Sequence, residues 1–312
     1  MPTETQPHYY FIVNPLAGGG KAGKLWPGIS HKLKTIGIAF ESVLTSGKMH
    51  ACSLTAQAIA KGYRRIIAVG GDGTAHEVAN GILGQTTCPS SDVLFSIFPI
   101  GTGNDWIKEH RIPNKLAPWI AMLQQGKPVF QDAGQVQFQS ESGPQNRYFI
   151  NVAGLAYDAF VVRKAIQENT FIGGKLGYLW LIFRSLFAFK IPKSTVIFEG
   201  KEATDHFYSI NIGICRFSGG GIQMVPQAKP NNGLLALTLV KRVSKMEVLL
   251  VTPLFYLGKI GWHPAVKLYQ TQAVTVESAG QEPVFVEADG EFLGQAPVQI
   301  AILPQALQIL VP

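Results

Sequence analysis

VGGDGTAHEVANG, Val69 to Gly81, follows the apolar run Ile66-Ile67-Ala68 and sets three glycines and a carboxylate into the five residues Gly70 to Thr74. An apolar β-type run, a glycine turn and a segment of helical composition read as strand, turn and helix. Gly70, Gly71 and Gly73 let backbone N–H groups come close to an anion, where side chains would keep it away. A helix starting near Thr74 adds its positive end and its unpaired donors. A polyphosphate suits such a turn. Asp72 alone would repel it, and makes sense if Mg²⁺ intervenes or if the carboxylate takes a proton or hydrogen bond from a reacting hydroxyl.

The same alternation extends in both directions. Tyr9–Val13 reads as a strand ending at Asn14-Pro15, Phe40–Leu44 as a second, Ala51–Lys61 as a helix closed by Gly62, and Arg64–Val69 as a third strand. Thr74–Leu83 reads as a helix and Val93–Pro99 as a fourth strand. This predicts an α/β domain with a parallel sheet over residues 1–131. From about Val129 the texture becomes β-rich, with strands expected at Val129–Phe138, Arg147–Val152, Ser194–Glu199, Phe207–Ile214, Leu234–Val240 and Val274–Val286. A second, mainly antiparallel domain over 132–302 follows, with the helical stretch from Asp158 to Phe189 packed on it.

The 312 residues are 46% hydrophobic and 15% charged, which describes an ordered globular chain. The formal net charge of +7 favours an anionic partner. Lys and Arg are scattered and no nucleic-acid-binding signature appears, so nucleic acid is not expected. Cys52, Cys88 and Cys215 are far apart and lack CxxC spacing, and the N-terminus lacks the features of a signal peptide, so a cytoplasmic location is expected. LGYLWLIFRSLFAF, Leu176 to Phe189, is too short for a membrane span and is interrupted by Arg184. MEVLLVTPLFYLGKIGW, Met246 to Trp262, contains Pro253, Gly258 and Lys259. Both read as core helices.

Three further stretches carry candidate chemistry. GGGKAGKL, Gly18 to Leu25, nearly spells a Walker A loop, but Leu25 stands where a Ser or Thr hydroxyl would hold Mg²⁺. A different nucleotide-facing loop and an ordinary strand-to-helix connection both remain open. GTGNDW, Gly101 to Trp106, starts like a dinucleotide fingerprint but puts Trp106 at its third glycine, and again joins glycines to a carboxylate, Asp105. VEADGEFLG sets Glu287, Asp289 and Glu291 around Gly290, which by itself reads as an acidic β-turn.

Taken in order, FIVNPLAGGGKAGK, VGGDGTAHEVANG, FPIGTGNDW, INVAGLAYDAFV, RFSGGGIQMVPQAKPNNGLLALTLV and VEADGEFLG resemble the motifs of the diacylglycerol kinase catalytic family, in particular its soluble bacterial lipid kinases related to sphingosine kinases. The resemblance implies an ATP-binding α/β domain and a β-sandwich lipid-substrate domain, with the active site in the cleft between them and the final strand, about 303–312, returning to the first domain. By motif position Asn14, Thr45, Gly70, Gly71, Asp72, Gly73, Thr74, Gly101, Thr102 and Asn104 contact ATP. Asp72, Asp105 and Glu291 form the Mg²⁺ and proton-transfer network, with either Glu291 or Asp72 as base. The implied activity is transfer of the ATP γ-phosphoryl group to the hydroxyl of diacylglycerol or a related lipid alcohol.

Two departures bear on this. His76 stands where bacterial diacylglycerol kinases commonly have Asn and sphingosine kinases often have His, which keeps a long-chain-base kinase open. Asn232 stands where some members use Asp to help hold a structural Mg²⁺; its carbonyl can ligate the ion but adds no charge. An NAD kinase shares GGDGT but not the later motifs. A silent lipid-binding regulatory protein would not need Asp72, Asp105 and Glu291. The Phe171 to Lys193 stretch, with Lys175, Arg184, Lys190 and Lys193, adds an expectation of peripheral, salt-sensitive association with anionic lipid. A homodimer is left open.

Overall fold

The computed structural model describes residues 8–101, 103–140, 143–168 and 174–312, without the side chains of residues 174–176, 178 and 179. The chain divides into two compact units. One holds the described residues up to Gln131 together with Gln305–Pro312; the other is Asp132–Pro304.

The first unit alternates β1 (Tyr9–Val13), α1 (Ala17–Thr35), β2 (Phe40–Leu44), α2 (His50–Ala60), β3 (Arg65–Gly70), α3 (Asp72–Gly84) and β4 (Leu94–Pro99), then α4 (Asp105–His110) and α5 (Leu116–Gln125). β2, β1, β3 and β4 lie side by side and parallel. Gln308 and Ile309 from the end of the chain add a further parallel neighbour, opposite Leu94 and Phe95. β1 and β4 are buried along their whole length, as central strands covered on both faces must be. α3 begins two residues earlier than its composition suggests, so Asp72 lies in its first turn. In α1, Gly18, Gly19 and Gly20 take left-handed angles with φ from 62° to 85°, so GGGKAG is a glycine turn before the regular helix.

The second unit begins within β5 (Lys127–Ser140) and continues through β6 (Gly143–Phe149), β7 (Val152–Ala156), α6 (Tyr157–Gln167), α7 (Gly174–Ala188), β8 (Lys193–Phe198), β9 (Lys201–Gly213), β10 (Phe217–Ser218), β11 (Ile222–Gln223) and β12 (Leu235–Lys241). α8 (Lys245–Tyr256), β13 (Val266–Thr271), β14 (Ala273–Ser278), β15 (Phe285–Ala288) and β16 (Glu291–Val311) as far as Pro304 complete it. β9 pairs with β8 through Lys201–His206 and with β7 through Ser209–Gly213. β16 pairs with β15 through Glu291–Gln295 and with β14 through Val298–Ala301. β14 pairs with β8, and β15 with β7, so these two long strands each serve both layers of an antiparallel sandwich.

Three sequence expectations need correction here. Arg147–Val152 is not one strand: β6 stops at Phe149 and β7 starts at Val152, because the Ile150–Val152 backbone turns to meet Asp289. Val274–Val286 is split into β14 and β15 around Gly280 and Pro283. The apolar helices reach the core with one side only. α7 buries Leu181 and Leu186 but exposes Trp180, Phe183 and Phe187, and α8 has no fully buried residue. No helix among the described residues is long and apolar enough to cross a membrane.

Candidate functional site

The segments singled out in the first unit gather at one edge of the parallel sheet. Asn14 follows β1, Thr45 follows β2, Gly70 ends β3 and Gly101 follows β4, and each leaves its strand at the carboxyl end. Backbone bonds hold them in step: Asn14 N–H donates to Val69 O at 2.9 Å, Thr45 N–H to Val13 O at 2.8 Å and Ile100 N–H to Gly70 O at 2.7 Å. The carboxyl edge of an open parallel sheet is where such folds bind ligands, because loops and helix N-termini converge there. Asn14 Nδ2 donates to Thr74 Oγ1 at 3.2 Å, which ties the end of β1 to the start of α3. Thr102 lies outside the described residues.

The glycines of this edge serve different ends. A Cβ on Gly70 would sit 2.3 Å from Thr74 Oγ1, and one on Gly101 would sit 2.7 Å from the Cα of Gly71. Gly101 therefore lets the two turns pack against each other, while Gly70 makes room for Thr74 within its own turn. Gly73 has no such reason: its φ is not left-handed and a Cβ there would meet nothing within 4 Å. Its missing side chain keeps the N-terminus of α3 open on the outside.

Asp72 is not a bare carboxylate. Its Oδ2 accepts the backbone N–H of Asp105 at 3.1 Å and its Oδ1 that of Trp106 at 3.2 Å, so it caps the first turn of α4. Asp105 is buried, and its Oδ1 accepts from Lys108 Nζ at 2.6 Å. The two acids converge on Gly103, whose absent Cβ would lie 3.0 Å from Asp72 Oδ2 and 3.7 Å from Asp105 Oδ2. Beside them Asn104 takes a left-handed conformation, φ 51°, and its buried Oδ1 has no donor among the described residues. His76 is buried within α3 beside Asn80, a packing position.

In the second unit the acidic stretch forms the β15–β16 hairpin, turning through Asp289 and Gly290, both at positive φ (51° and 84°) as a tight two-residue hairpin turn requires. Its three acids have separate roles. Asp289 accepts the N–H groups of Ile150, Asn151 and Val152 at 3.0–3.1 Å. Glu287, buried, accepts from Gly290 N–H at 2.7 Å. Glu291 lies 3.8 Å from Arg147 Nη2 as a side-chain ion pair. Asn232 Oδ1 is turned into its own loop, accepting Leu234 N–H at 3.1 Å, and Asp132 accepts Gly233 N–H at 2.7 Å. Among the described residues no group of three His, Cys, Asp or Glu side chains forms a metal cage.

A further acid escaped the sequence reading. Asp158, in the first turn of α6, accepts from Ser209 Oγ, which in turn accepts from Asn211 Nδ2 at 2.6 Å. Burial pushes its carboxyl up to about 6, against the hydrogen bonds from Ser209 and Asn211 that pull it down. Gly154 makes room for it: a Cβ there would stand 2.6 Å from Glu287 Oε1 and 2.8 Å from Asp158 Cβ. The signal was present in INVAGLAYDAFV, which places an acid in the first turn of a helix that follows a strand, as at Asp72 and Asp105.

The family model of the diacylglycerol kinase catalytic domain matches residues 8–136, and that of the YegS C-terminal NAD kinase beta sandwich-like domain matches residues 151–311. A diacylglycerol kinase of Mycobacterium tuberculosis (strain CDC 1551 / Oshkosh) is 28% identical over 303 residues, covering 96% of this chain and 94% of its own. A diacylglycerol kinase crystal structure from Bacillus anthracis str. Sterne shares the fold with a TM-score of 0.72 at 18% identity, covering 99% of this chain and 98% of that one. Yeast NADH kinase, complexed with NADH, shares it more distantly, with a TM-score of 0.56 at 9% identity over 99% of this chain and 84% of that one. With its two halves matched in order by these two domain models, the chain belongs to the diacylglycerol kinase-like lipid kinase family.

Proposed function

We propose that the protein is an ATP- and Mg²⁺-dependent kinase that transfers the γ-phosphoryl group to the hydroxyl of diacylglycerol, giving phosphatidic acid, and that it works peripherally at the cytoplasmic side of a membrane. The observation that carries this reading is the convergence of Asp72 and Asp105 on Gly103 beside the open N-terminus of α3. The name of the mycobacterial relative supports the choice of acceptor.

In phosphoryl transfer little covalent chemistry falls to the protein, and catalysis is positioning and compensation of charge. The Gly70–Thr74 turn, with Asn14, Thr45, Gly101, Thr102 and Asn104, holds the nucleotide in this reading. Asp72 and Asp105 would hold Mg²⁺, which when bound offsets negative charge on the phosphate oxygens; the convergence of the two carboxylates on Gly103 fits that role. The acceptor oxygen bonds to the γ-phosphorus as the bond to the β,γ-bridging oxygen breaks. ADP leaves with that electron pair, and the hydroxyl proton passes to a carboxylate base, Glu291 or Asp72 as the resemblance implies.

The purified chain, incubated with ATP, Mg²⁺ and diacylglycerol or a sphingoid base in mixed micelles, tests the proposal when products are read by mass spectrometry. Phosphatidic acid is expected. A sphingoid phosphate alone would reassign the acceptor to long-chain bases, and absence of any lipid phosphate would overturn the kinase reading.

A further inference from the structure

α7 and α8 are apolar on two sides. On one side they pack on a shared cluster that includes Tyr157, Leu181, Leu186, Tyr208, Val240 and Ile260, with Val248, Val251, Leu254 and Phe255 of α8 laid against it. The other side of a surface helix is normally polar. Here α7 presents Trp180, Phe183 and Phe187, and α8 presents Met246, Leu250 and Leu257, with Leu250 76% and Leu257 64% exposed. The three α7 rings form a continuous strip: Trp180 stacks on Phe183 at 5.7 Å, and Phe183 meets Phe187 edge-on at 5.3 Å. Lys245 Nζ donates to Phe187 O at 2.9 Å, which sets the start of α8 beside the end of α7. An apolar patch of this kind marks an interaction site.

Its border is positive. The Lys245 ammonium lies 5.2 Å from the Phe187 ring centre, and that of Lys259 lies 4.5 Å from Trp262, a side chain that is 73% exposed. Where α7 ends and α8 begins, Lys190, Arg242, Lys245 and His206 line an open recess of about 690 Å³; Lys190 pairs with Glu282 at 3.3 Å, so Arg242 and Lys245 carry most of its positive charge. The acid of that recess, Glu247, is already engaged, accepting Ser244 N–H and standing 3.1 Å from His263 Nε2. Aromatic and aliphatic side chains bordered by cations match a phospholipid surface, with the apolar groups at acyl depth and the cations at the headgroups. A second copy is a poorer match, since a two-fold contact would bring these like charges together.

We propose that the exposed face of α7 and α8 is the membrane-docking surface of this protein: the apolar strip enters an anionic leaflet and the basic recess receives lipid headgroup phosphates. This deepens the peripheral lipid-kinase reading and rests on it for its purpose, while binding can be measured apart from turnover. Phe171, part of the stretch first suspected of this role, lies outside the described residues, as does the Lys175 side chain.

The test is co-sedimentation of the full chain with phosphatidylcholine vesicles, with and without phosphatidylglycerol, at low and high salt. The variants are Leu250→Ser/Leu257→Ser and Arg242→Glu/Lys245→Glu, each checked by thermal melting. The serine variant should bind both vesicle types about tenfold more weakly, and the glutamate variant should lose chiefly the anionic preference and its salt dependence. Both should phosphorylate a short-chain diacylglycerol, presented below its micelle concentration, within about twofold of the unaltered chain, because only interfacial capture is removed. Unaltered vesicle binding by the serine variant overturns the proposal, as does a dimer of the unaltered chain that this substitution dissolves while vesicle binding persists. Vesicle binding lost as expected, from a chain that phosphorylates no lipid at all, would sink the kinase reading and leave the docking surface standing.

Discussion

Asp72 holds the backbone of Asp105: its Oδ2 accepts the Asp105 N–H at 3.1 Å while Oδ1 takes the next N–H, that of Trp106. The carboxylate of one glycine turn thereby caps the helix that starts in the other, and the side chains of both acids come to face Gly103. A carboxylate suits this place because it offers an acceptor on each oxygen, where the start of a helix leaves donors without partners.

Asp72→Asn should therefore damage structure as well as chemistry. An amide offers one acceptor, and its NH₂ would face the other N–H donor to donor. A loss of about 1–3 kcal/mol in urea unfolding is expected, together with a severe fall in turnover and a higher Mg²⁺ requirement. Native stability in this variant would show that the double cap contributes nothing.

Glu291→Gln should separate chemistry from structure. Gln keeps the shape of Glu291, and the ion pair with Arg147 is long, at 3.8 Å, so the loss of stability should be small beside the loss of turnover. If Glu291 is the base, kcat should drop by about 10²–10⁴ with the KM for ATP within a few fold. If turnover survives in Glu291→Gln but not in Asp72→Asn, the proton goes to Asp72.

Gly70→Ala and Gly73→Ala should behave oppositely. The first drives a Cβ to 2.3 Å from Thr74 Oγ1 and should destabilise the chain. The second meets nothing within 4 Å, lies in the first turn of α3, and should leave stability unchanged or raise it by about 0.4–1 kcal/mol. Yet Gly73→Ala should raise the KM for ATP, because in the proposed site the methyl group would stand where the nucleotide approaches. Paired melting curves and steady-state kinetics read both effects, and an unchanged KM would remove Gly73 from the nucleotide site.

Asp158 gives a pH signature. Its carboxyl is pushed to about 6 from 3.8, so between those values the folded chain keeps a proton that the unfolded chain has released. Stability from this group is thus full below the lower value, falls as pH rises through the window, and stays reduced above it. Asp158→Asn removes the titration, so its stability relative to the unaltered chain should improve from pH 4 to pH 7 by about 1–3 kcal/mol. Parallel melting profiles across that range would rule the buried carboxyl out as the cause.

The sequence by itself determined the elements whose signals are local. Apolar runs closed by glycine turns placed β1 to β4 within a residue or so, and their alternation with helices determined the parallel sheet, since short connections after each strand leave a helical crossover as the only route to a parallel neighbour. The carboxyl edge carrying Asn14, Thr45, Gly70 and Gly101 follows from that topology. What only the tertiary structure decided is the role of groups whose partners are distant in the chain. Glu287, Asp289 and Glu291 look equivalent in VEADGEFLG, but Asp289 is spent on N–H groups near Ile150 while Glu291 faces Arg147. Composition could not reveal that the apolar helices α7 and α8 carry only one of their faces into a core, because an apolar residue reads the same whether protein or another apolar medium covers it. Hydrogen bonding and burial are settled by what the fold brings alongside, and that depends on packing across the whole unit rather than on neighbours in sequence.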